Sequence, residues 1–593
     1  MISFLPPALI FIAGAALIPF LNGRLRQAYI ILLPCLAFLN LLNMPEGSAW
    51  IFNFWEYQLT FARVDKLSMV FGYIFVIMAF AGGIYAAHEK DKLQLTAAFL
   101  YAGSSLGVVF AGDYLTLYIF WEIMAFASFC LVFAKQTQRA IKAAFRYIMV
   151  HLFGGLMLMI GILMQVAETG SLEFNLIGLN GIASAFILLG FAVNAAIFPL
   201  SAWLTDAYPE STVVGTVFLS AFTTKTAVYV LARGFAGTDL LVWAGITMII
   251  YGIVFAILEN DMRRVLSYSI INQVGFMVVG IGIGTELAIN GAAAHAFAHI
   301  LYKALLMMSA GAVLYLTGRS KTSQLGGLYK TMPLTLLFAV VGAASISGFP
   351  LTGGFISKSM ISSAAGHEHM IVIWLLLTLA SAGVFLHAGI KFPYFVFFAK
   401  DSGLRPDEKK LPLNMKVSMA FLSFMCILIG VFPQILYRLL PYPVDYLPYT
   451  GDHVISQLQL LMFSALAFFM MLKFLKRTET LTLDTDWFYR RGANIVIAYI
   501  SIPVAWTYNK LGYVFLEKIP NLATWFSKNP LRAMRIGIDK LVVSMVGGKK
   551  ALKRLEKQKE SYPGPLKQWS ISTAVSVALV IFAIYLILFF FYA

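Results

Sequence analysis

The chain of 593 residues is 60% apolar and 12% charged, with a mean hydropathy of +0.81, which excludes a soluble domain. Its net charge of +16 is spread over loops and a C-terminal segment. It does not form the single basic patch that a nucleic-acid partner would need. Alternating ten-residue strands, the mark of a membrane barrel, are absent, and apolar runs near the 20 residues of a spanning helix recur from end to end.

Taken in order, the candidate spans are 4–21, 28–44, 67–87, 94–111, 113–134, 147–167, 183–199, 212–232, 240–258, 265–284, 288–316, 333–365 (interrupted), 369–399, 414–434, 454–475 and 570–592. The fold class is therefore an all-α polytopic membrane protein of about 16 spans. The first run, Phe4–Leu21, lacks a basic flank and an obvious cleavage site, so it reads as a span and not a removable signal. Loops on one side carry seventeen Lys/Arg, among them Lys135, Arg139, Lys142, Arg263 and Arg264; the other side carries Arg63, Lys66, Arg233 and Arg438. The positive-inside rule places the N-terminus outside. Cys35, Cys130 and Cys426 all fall in apolar runs without metal-like spacing and read as small buried hydrophobes.

Pro199 interrupts the seventh span at Phe198-Pro199-Leu200-Ser201, because proline removes a backbone donor and clashes with the preceding turn. Phe349-Pro350-Leu351-Thr352 echoes it 151 residues later, and an isolated lysine follows each break. In hydrocarbon, broken backbone survives only where protein or a water-filled cavity surrounds it. Paired interruptions in two halves of a transporter point to a midplane site.

Residues 484–568 hold 15 Lys/Arg and 6 Asp/Glu between apolar residues. Prolines at 503, 520, 530, 563 and 565 forbid one uninterrupted ideal helix. Such a basic amphipathic segment reads as lying in the membrane interface, with 569–593 as a final anchoring span. The uncharged run Ala493–Tyr508 leaves open a further short span there.

Ionisable residues inside spans are functional candidates by default. Glu122 lies mid-span in Leu115–Phe133, where it can trade a proton with a base or simply pair with one. Lys225 is isolated in span 212–232. His295, His299 and Lys303, four residues apart, share one helix face and suit proton hopping. A metal held by the two histidines is the alternative, disfavoured by the neighbouring ammonium and the lack of a third ligand. Lys358 follows the second break. Lys391 sits four residues after His387 and can equally snorkel to the interface. There is no glycine-rich phosphate loop, no cysteine cluster and no Ser/His/Asp arrangement, so no cofactor, metal or catalytic site of its own is expected.

The pieces WEIMAFAS (121–128), FPLSAWLTDAYPES (198–211), TTKTAVYVLAR (223–233), NDMRRVLSYSIINQVGF (260–276), HAFAHILYKALL (295–306) and GFPLTGGFISK (348–358) resemble the antiporter-like subunits. These are shared by respiratory complex I, Mrp-type cation/proton antiporters and membrane-bound hydrogenases. The motifs look nearest to the Mrp D subunit, and the tail is similar to the lateral helix of the large complex I subunit. The resemblance implies two inverted five-helix repeats, each with one broken helix. It implies the layout 1–93 (N-terminal spans), 94–258 and 259–413 (repeats), 414–483 (further spans), 484–568 (lateral segment) and 569–593 (anchor). It also implies a polar axis of Glu122, Lys225, His295, His299, Lys303 and Lys358 that moves protons, possible coupling to Na+, and partner subunits in a bacterial or archaeal inner membrane.

One departure stands out. The family usually carries a lysine just before the first break, where this chain has Asn194. Smaller departures are Ser201, Thr205 and Leu351, where histidine, proline and a second proline are common. An amide holds water but carries no charge, so the first half implies a water path or another base. The rival readings are a docking subunit with an impaired path and a self-sufficient secondary antiporter.

Overall fold

The computed structural model describes residues 4–473, 475, 484–565 and 570–592. The ends of the expected 414–483 and 569–593 segments therefore lie partly outside the described residues. Contacts divide the chain into two units, Met1–Trp487 and Phe488–Ala593.

The first unit opens with α1 (Pro7–Leu17) and α2 (Gly23–Leu42). A feature absent from the sequence reading follows: an antiparallel hairpin of β1 (Gly47–Phe54) and β2 (Tyr57–Val64), with Gly47 opposite Val64. Its alternating aromatic residues (Trp50, Phe52, Phe54) carry period-two patterning, which a search for long apolar runs passes over. Next come α3 (Lys66–Tyr85), α4 (Lys92–Phe110), α5 (Tyr114–Phe133) and α6 (Gln138–Thr169). Each start has a physical signal: Asp65, Asp91, Asp113 and Thr137 accept backbone N–H groups of the first turn.

The broken region comprises α7 (Ile182–Asn194), α8 (Ala202–Ala207), α9 (Val213–Leu219) and α10 (Thr223–Gly234). The single span expected at 212–232 is thus interrupted at Ser220–Phe222. Two long continuous helices, α12 (Met262–Ile283) and α13 (Glu286–Thr317), follow α11 (Asp239–Leu258). Almost every residue of α12, and α13 from Ala288 to Val313, is buried. Gly245 of α11 and Gly275 of α12 meet so closely that a Cβ on either would lie 2.7 Å from the other's carbonyl oxygen. Such close approach is how helices associate where no water drives them together.

The second break separates α14 (Pro333–Ser347) from α15 (Gly353–His367). Then come α16 (Ile371–Val384), wide π-type turns at Phe385–Lys391 and Tyr394–Phe398, α17 (Leu413–Val431), α18 (Pro433–Tyr437) and α19 (Gly451–Met470). Among the described residues thirteen helices are long and apolar enough to cross a membrane, and Pro7–Phe20, Ile182–Asn194 and Pro333–Ser347 are shorter apolar helices. Length and hydropathy alone therefore do not reach the expected count of about 16.

The second unit is a run of helices. α20 (Asp486–Val496), which begins in the first unit, leads through π-type turns at Ile497–Ser501 and Tyr513–Lys518 into α21 (Ile502–Gly512) and α22 (Ile519–Lys528). Pro503 and Pro520 each stand two residues after the end of a wide turn. Widening the turn makes room for the ring and the missing donor, so the run continues past each proline to Lys528. α23 (Pro530–Val546), α24 (Lys549–Glu560) and α25 (Ile571–Tyr592) complete it.

Candidate functional site

Both breaks carry backbone in the left-handed region. In the first, between α7 and α8, Ala196 has φ +56°, beside a cis Phe198–Pro199 bond. In the second, Gly348 has φ +73° and Leu351 has φ +68°. A left-handed alanine or leucine costs of order 1 kcal/mol and persists where surrounding packing imposes it, often at functional sites.

The break at Ser220–Phe222 has neither proline nor glycine. A buried side chain meets the backbone it frees. Lys225, fully buried, donates to the Ser220 carbonyl at 2.7 Å and to Thr224 Oγ1 at 3.0 Å. Ser220 caps the C-terminus of α9, where free carbonyls present partial negative charge to an ammonium. Lys358 repeats the arrangement at the other break. Its Nζ reaches the Ile346 carbonyl at the end of α14, at 3.4 Å, and lies over the Phe276 ring at 5.6 Å. Gly354 permits this junction, since a Cβ there would run into the Ser345 carbonyl.

The continuous helix α13 lies between these two lysines in the polar line. Lys225 interacts electrostatically with both His299 and Lys303, and Lys358 with His295. The rings of His295 and His299 are 6.3 Å apart. His295 Nδ1 is 3.1 Å from Ser357 Oγ, the neighbour of Lys358, and its Nε2 is 3.2 Å from Gln273 Oε1. Tyr302 donates to the same Gln273 oxygen at 3.0 Å. Lys303 donates to Ser269 Oγ at 2.8 Å. Neither ring nitrogen of His299 has a hydrogen-bond partner among the described residues. A cavity of about 740 Å³ opens beside Lys358, lined also by Gly348, Asp452, His453 and Gln457.

Lys225, His295, His299, Lys303 and Lys358 are thus brought into one buried line whose ends coincide with helix breaks. Residues 111–383, which contain this line, match the family described as NADH:quinone oxidoreductase/Mrp antiporter, transmembrane. Through that stretch, a little under half of its length, the chain is similar to this family. It is 30% identical to the A/B subunit of a probable K(+)/H(+) antiporter of Rhizobium meliloti, over 71% of this chain and 43% of the relative. It is 31% identical to the D subunit of the Na(+)/H(+) antiporter of Alkalihalophilus pseudofirmus, over 52% of this chain and 66% of the relative. The chain thus spans less than half of the first relative and about two thirds of the second. Its fold is similar to a chain in the Mrp complex from Dietzia sp., with a TM-score of 0.73 at 20% identity, covering 98% of this chain and 74% of that one.

Glu122, in the family-matched stretch, stands apart from the line. It is half-buried on α5, interacts with Tyr118 one turn earlier, and presses Oε1 against Gly155 of α6, where any Cβ would collide with it. Asn194, at the end of α7, is buried and meets a residue that the sequence reading missed: its Oδ1 lies 2.7 Å from His151 Nδ1. The signal was present, because His151 and Tyr147 are the only titratable side chains in 147–167.

Lys391 lies beyond the family-matched stretch. Its ammonium donates to the carbonyls of Ala256, Ile257 and Glu259 at 2.9, 2.6 and 2.6 Å, which closes the C-terminus of α11. His387, in the wide turn before it, interacts electrostatically with Lys303, Lys358 and Lys391. Also unforeseen is Asp484, 7% exposed, which accepts from Tyr251 and Tyr268 hydroxyls at 2.5 Å each and from Thr205 Oγ1 at 3.3 Å.

Proposed function

We propose that this chain is a proton-translocating, antiporter-like membrane subunit of a multisubunit ion-pumping complex, of the Mrp cation/proton antiporter or complex I type. The observation that carries the reading is the buried line Lys225–His299/Lys303–His295–Lys358. Its terminal lysines each sit at the C-terminal end of a broken helix and draw on carbonyl oxygens, not carboxylates. An ammonium held by dipoles alone is neutralised more readily than one in an ion pair, so protons can be exchanged along the line. The cavity beside Lys358 supports a water route to its second end.

In this reading residues 94–258 and 259–413 are the two repeats, the N-terminus faces outward and the membrane is the bacterial or archaeal inner membrane. The partners are other membrane subunits, with lipid along the basic segment 484–568, which lies in the membrane plane before the anchoring helix. Na+ is a candidate coupling ion. The test is ΔpH-linked dye response in inverted vesicles of the native membrane. Lys303→Ala and Lys358→Ala abolish the response at normal assembly; unchanged transport in both overturns the reading.

A second reading, a docking subunit with an impaired path, is favoured by one feature: Asn194 places a neutral amide beside the first break. It predicts that both lysine variants transport normally while deletion of 484–593 disrupts assembly.

A further inference from the structure

We propose that His151 is the proton-carrying base of the first half of the path, paired with Glu122 as its acid; the inference rests on the proton-translocating reading above. His151 is 1% exposed in the middle of α6. Asn194 Oδ1 stands 2.7 Å from its Nδ1. A carbonyl-type oxygen accepts, so Nδ1 carries the hydrogen and the lone pair is placed on Nε2. That Nε2 is buried and has no hydrogen-bond partner among the described residues. Asn194 is thus a positioning residue, setting the tautomer that leaves a base available.

The acid is one helical turn away. His151 and Gly155 are i and i+4 on α6, on one face and about 6 Å apart along the axis. Glu122 Oε1 rests directly on Gly155, and it too is buried without a hydrogen-bond partner among the described residues. The glycine is what lets the carboxyl approach the helix one turn from the histidine. The step conserves charge: the Glu122 carboxyl gives up its proton, Nε2 gains one, and a carboxylate and an imidazolium result. Bridging water carries the proton between them.

The ring is fixed rather than loosely housed. Tyr147 packs on it at 4.1 Å and Trp203 edge-on at 4.5 Å between centroids, and Trp203 Nε1 is anchored to the Val193 carbonyl at 2.9 Å. From there hydroxyls lead toward Lys225. Tyr147 donates to Ser128 Oγ at 2.8 Å and interacts with Thr223, and Thr223 Oγ1 is 2.6 Å from the Tyr101 hydroxyl. Of the titratable groups, Tyr147 on its own helix touches His151, Glu122 on α5 with Tyr118 beside it lies against Gly155, and Tyr101 and Tyr208 interact with Tyr147. Arg146 and Asp206 satisfy each other in a bidentate pair at 2.6 and 2.8 Å.

The test measures ΔpH-linked transport in inverted vesicles of the native membrane, with assembly checked by native gel, for His151→Gln, His151→Lys and Lys303→Ala. His151→Gln puts a polar amide in place of the imidazole but cannot titrate; transport falls by about tenfold or more. His151→Lys restores a base and recovers transport with a pH profile moved to the alkaline side, since lysine titrates higher than histidine. Normal transport in His151→Gln with loss in Lys303→Ala overturns this proposal and leaves the wider reading standing. Normal transport in both overturns the two together. Equal loss in His151→Gln and His151→Lys at normal assembly assigns His151 to packing and also overturns the proposal.

Discussion

Lys225 donates to the carbonyl oxygen of Ser220, five residues behind it, at 2.7 Å. The same relationship recurs between Lys358 and Ile346, and between Lys391 and the end of α11. Three isolated lysines therefore each place their ammonium at the C-terminal end of a helix, where the dipole offers about half a negative charge. Lys225→Met removes the charge and strands the Ser220 carbonyl, at a cost of about 1–3 kcal/mol. The expected outcome is lost ΔpH-linked transport together with a lower thermal unfolding midpoint. Lys225→Arg keeps both hydrogen bonds and restores stability without transport, because a guanidinium does not release its proton.

The second break depends on a missing side chain. A Cβ at Gly354 would run into the Ser345 carbonyl, which is backbone and has no freedom to swing away. Gly354→Ala should cost about 1–3 kcal/mol from overpacking and displace Lys358 from Ile346. In detergent it lowers the unfolding midpoint; in vesicles it reduces transport. Gly366→Ala, with its nearest contact at 3.7 Å from Trp374, is the tolerated control on the same helix.

How far the sequence could be read follows from what leaves a local mark. Pro199 and Pro350 announce two breaks because proline cannot complete the ladder. The break at Ser220–Phe222 has no such mark: neither proline nor glycine stands there, and the lysine that meets the freed carbonyl lies five residues on. The periodic ladder His295, His299, Lys303 was legible, but its partners Gln273, Ser269 and Ser357 are ordinary polar residues until α12 and α15 pack against α13. Asn194 read as a deficit because its histidine partner sits 43 positions earlier on another helix. The prolines of the basic tail argued for interruption, and the wide turns that absorb them are a backbone adjustment with no residue signature.

An acid-sensitive clamp joins the start of α3 to the end of α10. Asp65 caps α3 and accepts from Arg233 at 2.8 and 2.7 Å. Burial pushes the Asp65 carboxyl up, but the Arg233 guanidinium, the Ser68 backbone N–H and Arg63 together hold it below its ordinary value. A carboxyl whose folded value is depressed stabilises the fold above its unfolded value, about 4, and loses that contribution as pH falls through the folded value. Asp65→Asn should therefore lower the unfolding midpoint at pH 7. The gap to the unmodified chain should close as pH falls below about 4. A gap that persists unchanged at low pH would show that capping alone, and not ionisation, is responsible.

Asp484 gathers three elements of the first unit: Thr205 on α8, Tyr251 on α11 and Tyr268 on α12. Both phenols have this carboxylate as their acceptor, and Tyr251 also packs its ring on Phe198 at 5.1 Å, inside the first break. Asp484→Ala leaves two buried hydroxyls to find new partners, at about 1–3 kcal/mol each. Asp484→Asn retains one acceptor oxygen and should fall between the two. The measurement is the unfolding midpoint of the full chain in detergent for both variants and for the double variant Tyr251→Phe/Tyr268→Phe. If the carboxylate acts through these hydroxyls, adding Asp484→Ala to the double variant changes the midpoint far less than it does in the unmodified chain. Equal shifts in both backgrounds would mean that Asp484 acts through its backbone or through Thr205, and that the tyrosines near the first break are held by packing alone.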